Sequence, residues 1–70
     1  MNFAVIYEKT RTGYSAYVPD LPGCVAGGAT FEETADLIRG AIALHLETMR
    51  EDGDSIPEPT TIAGCVAVRA

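Results

Sequence analysis

The chain reads as a small α+β domain with two layers and the element order β-β-β-α-β. Three observations predict this. Short segments with strand alternation come first, separated by turns rich in Gly and Pro. A long amphipathic segment with a capping signal follows at Thr30. A Pro-spaced connector then leads to a last apolar stretch.

The first strand is expected over Asn2 to Glu8. Phe3, Val5 and Tyr7 fall on one face, and Ala4, Ile6 and Glu8 on the other. Both faces carry apolar side chains, so both are expected to be at least partly covered. Lys9 to Gly13 is polar and ends in Gly, as a hairpin loop does. The second strand spans Tyr14 to Val18, with Tyr14, Ala16 and Val18 on one face and Ser15 and Tyr17 on the other. Pro19-Asp20-Leu21-Pro22-Gly23 makes a turn, in which Asp20 is expected to bond back to the local backbone. Cys24 to Ala26 forms a third strand, cut off by Gly27-Gly28.

The helix carries the strongest local signal. Thr30 stands three residues before Glu33, the spacing of a capping box. Glu32, Glu33 and Asp36 suit the positive end of the helix dipole. Phe31, Ala35, Ile38, Ala41, Ile42, Leu46 and Met49 form one apolar face, and Leu37 and Leu44 widen it on a flank. Gly53 is placed to end the helix in a left-handed conformation. Gly40 lies mid-helix at a cost of about 1 kcal/mol relative to Ala, and a close backbone contact would explain it. The helix should be about 30 Å long, against about 17–23 Å for the strands beneath it. The excess apolar stripe is expected to seek a second chain.

Ser55 to Pro59 reads as an extended connector, and Thr61 to Arg69 as a final strand with a bulge at Gly64. A right-handed crossover would lay that strand parallel to the first. The expected product is a mixed sheet of order 3-2-1-4 with one helix on one face. The opposite face, with Tyr and Val side chains, is the expected association surface.

Size and charge narrow the function. Seventy residues bury only about 60% of their unfolded surface. Chains below about 80 residues usually rely on a staple or a partner. With 47% apolar residues in so short a chain, association is the natural remedy. The opening MNFAVIYEKT has no basic stretch and no long apolar run, so a cytoplasmic location is expected, with Cys24 and Cys65 as buried, reduced thiols. A net charge of −5 disfavours direct nucleic-acid binding and favours a basic partner. No apolar run reaches the roughly 20 residues of a membrane span.

Nothing in the chain is arranged for catalysis. Gly27-Gly28 lacks the Lys-Ser/Thr of a phosphate loop. There is no C-x-x-C or H-E-x-x-H, so no metal or other cofactor is expected. Ser15 and Ser55 lack a nucleophile elbow. The acidic residues near Glu32 are accounted for by capping. His45 lies beside the apolar stripe, and a packed or interface histidine explains it. A non-enzymatic binding module is the expectation.

The run Tyr14-Ser15-Ala16-Tyr17-Val18-Pro19-Asp20-Leu21-Pro22-Gly23-Cys24 carries a resemblance. So do Thr30 with Glu32-Glu33, and Arg50-Glu51-Asp52-Gly53 with Ile56-Pro57-Glu58-Pro59. Together they resemble the HicB-type antitoxins and their compact stand-alone relatives. The resemblance implies a partial RNase H-like fold without the nuclease's acidic site. It also implies a partner, a HicA-type toxin: a small, basic, mRNA-cleaving ribonuclease whose RNA-binding and catalytic surface the antitoxin covers. Many such antitoxins continue into a DNA-binding domain. This chain is expected to be a single domain over residues 1–70 without one.

Asp20, Leu21, Pro22, Gly23 and Cys24 are expected to shape a partner-binding corner. Ile42, His45, Leu46 and Met49 are expected to support self-association into a dimer or tetramer. The alternative is an orphan homo-oligomeric domain of the same fold, with another protein or a small molecule as partner and no toxin.

Overall fold

Three strands form one antiparallel sheet in the computed structural model, which describes residues 1–69. They are β1 (Ile6–Lys9), β2 (Tyr14–Tyr17) and β3 (Val25–Gly28), in spatial order β1-β2-β3. One helix, α1 (Phe31–Glu51), covers one face. The α+β class and its two layers are as the sequence predicts.

Register explains the faces. Tyr7 pairs with Ala16, and Ala16 with Ala26. This row faces the helix, and Ala16 is buried. The next row, Ile6, Tyr17 and Val25, lies on the opposite face, which no helix covers. Ala16, Val18, Leu21, Cys24 and Ile38 form the buried core, with Phe3, Val5, Tyr7, Ile42, Leu46 and Met49 packed around it.

The helix ends follow local chemistry. The Thr30 hydroxyl accepts the Glu33 amide at 3.1 Å. The Glu33 side chain lies against Gly28. At the far end Gly53 takes φ +74°. Its amide donates to the Arg50 carbonyl at 3.2 Å, and the Asp54 amide donates to the Met49 carbonyl at 2.9 Å. These two bonds make a Schellman motif. The Asp36–Arg39 ion pair is exposed and contributes little.

Several expectations are corrected. β1 starts later than Asn2, and β3 runs on through Gly27 and Gly28. A Cβ at Gly28 would stand 2.9 Å from the Thr34 hydroxyl oxygen, so the missing side chain lets α1 close onto β3. Thr34, not Phe31, therefore supplies the buried position of the first helical turn. Its hydroxyl is satisfied by donating to the Thr30 carbonyl at 2.8 Å. Phe31 instead packs its ring 4.5 Å from that of Tyr7. Gly40 makes no close contact: a Cβ there would meet nothing within 4 Å.

A further correction concerns the last strand. Residues 61–69 form no strand, so the parallel pairing and the full 3-2-1-4 order are absent from the single chain. Their alternation is that of a strand, but no neighbouring strand is paired with them. Cys65 is consequently exposed, and Cys24 alone is the buried thiol.

Candidate functional site

The turn between β2 and β3 is two tight turns in series. The Leu21 amide donates to the Val18 carbonyl at 3.0 Å, with Pro19 and Asp20 between them. The Cys24 amide donates to the Leu21 carbonyl at 3.0 Å, around Pro22 and Gly23. Gly23 sits at φ +84°, the left-handed position that follows Pro in a type II turn. The Val18 amide closes the loop on the Cys24 carbonyl at 3.1 Å.

This geometry divides the five residues of the expected corner. Leu21 and Cys24 turn inward and belong to the core. Burial raises the Cys24 thiol pKa, so the thiol stays protonated. Pro22 and Gly23 are exposed at the tip. Asp20 reaches neither solvent alone nor its own turn. Its carboxylate accepts the Thr61 amide at 3.0 Å and the Thr61 hydroxyl at 2.8 Å. It also accepts the Thr60 amide at 3.1 Å and the Thr60 hydroxyl at 3.4 Å. Thr61 lies 41 residues further along the chain. A motif reader sees a local Asx turn here; the long-range latch leaves no short-range signal. The bonds from Thr61 hold the Asp20 carboxyl below the ordinary aspartate range, with those from Thr60 assisting against some desolvation.

Tyr17 and Val25 flank this corner on the uncovered sheet face, and both are exposed. Tyr17 and Val25 are cross-strand partners, and Pro22 and Gly23 are exposed in the turn that joins their strands. The second expected group lies elsewhere. Ile42, His45, Leu46 and Met49 are all half-buried on α1, and three of them pack against the core. The more exposed aliphatic side chains of the helix are on its flank, at Leu37 and Leu44. Among the described residues, no three His, Cys, Asp or Glu side chains gather as metal ligands. No helix among them is long and apolar enough to cross a membrane.

The chain is similar to known proteins. An uncharacterized 14.9 kDa protein of Haemophilus phage HP1 is 37% identical over 62 residues, covering 89% of this chain and 47% of its own. The protein named antitoxin HicB 2 of Photorhabdus laumondii is 33% identical over 61 residues, covering 87% of this chain and 44% of its own. The chain thus spans about half the length of these two relatives. A chain of a solved HicA3 and HicB3 toxin-antitoxin complex superposes with a TM-score of 0.73 at 30% identity, covering 86% of this chain and 70% of that one. The family described as HicB-like antitoxin of bacterial toxin-antitoxin systems matches residues 3–69. That match takes in the β2–β3 corner, the capped helix and the latched arm, and the chain belongs to this HicB-like antitoxin family.

Proposed function

We propose that this chain neutralises a HicA-type, mRNA-cleaving toxin by binding over its RNA-binding and catalytic surface. The observation that carries the reading is the likeness of the whole β-β-β-α unit to a chain from a toxin-antitoxin complex. Charge supports it. A chain of net charge −5 is suited to a partner that is basic because it binds RNA. The work is done by occlusion, and the chain contributes no catalytic group.

The surface we assign to the toxin is the tip Pro22-Gly23 with Tyr17 and Val25 beside it. It is rigid, because the two turns behind it are closed by backbone bonds and plugged by Leu21. A rigid apolar patch binds without a large ordering cost. Ile42, His45, Leu46 and Met49 support self-association in this reading, through the part of each half-buried side chain that the core leaves uncovered.

Co-expression with a small basic toxin, followed by pull-down and an mRNA-cleavage assay, tests the proposal. A stable complex with suppressed cleavage is expected. A folded chain that neither binds nor protects mRNA would overturn it. That outcome would favour the orphan oligomer, a reading to which the exposed apolar arm also lends support.

A further inference from the structure

Residues 62–69 are exposed throughout, although their side chains alternate as those of a strand. Ile62, Val66 and Val68 fall on one side and are 93%, 86% and 80% exposed. Ala63, Cys65 and Ala67 fall on the other. The root of this arm is nevertheless fixed, because Asp20 holds Thr60 and Thr61. The exposed surface is large for the mass. The chain exposes 5278 Å², against about 4,200 Å² for a compact monomer of 7.4 kDa. Its radius of gyration is 13.7 Å, against about 11 Å for a compact domain of this length.

The same chain carries a slot of matching chemistry. β1 is an edge strand with one neighbour. The helix packs over β3 and β2 and stays clear of the β1 backbone. A groove of about 360 Å³ opens between α1 and the N-terminal segment that leads into β1 at Tyr7. Phe3, Val5 and Tyr7 line one wall, and Ala35, Ile38 and Ile42 the other. Asn2 and Arg39 also line it, and an unpaired strand edge beside a groove with apolar walls is a template for an added strand.

We propose that two copies exchange arms: residues 62–68 of each add as an edge strand to β1 of the other and turn Ile62, Val66 and Val68 into the groove. Pairing with the chain's own β1 would have buried these side chains in the single chain, and they are not buried. Removing the excess of about 1,100 Å² from each chain buries about 2,200 Å² in all, near the boundary between standard specific interfaces and obligate dimers. The exchange is reciprocal, so it closes with two-fold symmetry and caps both β1 edges. The inference rests on self-association and not on a toxin.

Sedimentation of the full chain should give twice the monomer mass. Val66→Pro, which removes an amide donor in the middle of the arm, should give a monomer with unchanged helical circular dichroism, because the arm lies outside the core. A second measurement identifies the pairing. One chain keeps Cys65, and the other carries Cys65→Ser with Ala4→Cys, Ile6→Cys or Glu8→Cys. These positions lie on the sheet face to which the exchanged arm would turn Cys65. Mixed and oxidised, at least one pair should give a covalent heterodimer on a non-reducing gel. A monomeric full chain, a dimer that survives Val66→Pro, or failure of all three pairs overturns the proposal. So does a chain with both cysteines that cross-links only within itself, since the arm then pairs with its own sheet.

Discussion

Asp20 holds Thr61 by both ends of one carboxylate: Oδ2 accepts the Thr61 amide at 3.0 Å, and Oδ1 accepts the Thr61 hydroxyl at 2.8 Å. Together with the bonds from Thr60, this occupies the acceptor capacity of the carboxylate. A turn residue that sequence motifs assign to a local or partner contact is instead the anchor of a segment 40 residues away. Asp20→Asn keeps the shape but loses the charge and turns one acceptor into a donor. We expect the amides of Thr60 and Thr61 to lose protection in hydrogen exchange while the helix amides keep theirs. Unchanged protection at both threonines would contradict the latch.

The latch has a pH dependence of definite sign. The Asp20 pKa is lowered below the ordinary 3.8, mainly by the Thr61 amide and hydroxyl. Its contribution is therefore complete above about pH 4 and is lost as pH falls through the lowered value. The Thr61 amide resonance should titrate below the ordinary aspartate range, and the Asp20→Asn variant should show no such titration.

Gly40 is exposed on the helix with open space around it. Gly40→Ala should stabilise the chain by about 1 kcal/mol, which for a domain of this size is about 4–8 °C in melting temperature. A fall in melting temperature would mean that another chain packs against Gly40 in the assembled state.

Gly28 behaves oppositely. A Cβ there would meet the Thr34 hydroxyl oxygen at 2.9 Å and the Glu33 side chain at 3.2 Å. Gly28→Ala should destabilise by about 1–3 kcal/mol through overpacking. Adding Thr34→Ala should recover part of that loss, because it removes the nearest atom. Strict additivity in chemical denaturation would exclude the steric explanation.

Two leucines on the same helix should respond differently to charge. Leu46 is half-buried against the core, whereas Leu44 is 65% exposed on the flank. Leu46→Asp should lower the melting temperature sharply, by about 2–4 kcal/mol of stability. Leu44→Asp should leave the melt within about 0.5 kcal/mol of the parent. Equal effects would show that the flank is buried in an oligomer.

Much of this architecture was legible in local chemistry. Thr30 and Gly53 mark the helix ends because capping and left-handed termination act within a few residues. The grouping of Phe3, Val5 and Tyr7 on one face of the first strand segment, and of Ala16 and Val18 on one face of the second, follows from strand alternation. The family also followed from motifs that reside in local spacing. Other features were not local. Leu21 plugs the core although it lies in a turn, and Thr34 outranks Phe31 as the buried residue because β3 offers no Cβ at Gly28. The expected corner lost Leu21 and Cys24 to the core, and Asp20 to Thr61. The strand pattern of residues 61–69 was correct as a pattern, yet a strand needs a neighbour, and pattern alone does not say which sheet, or whose, supplies it. The sequence by itself determined the three antiparallel strands, the capped helix and the face each presents, because these depend on backbone preference and side-chain period. Only the tertiary structure decided the Asp20–Thr61 latch, the Gly28–Thr34 contact and the unfilled groove beside β1, because each depends on how close two distant segments come in space.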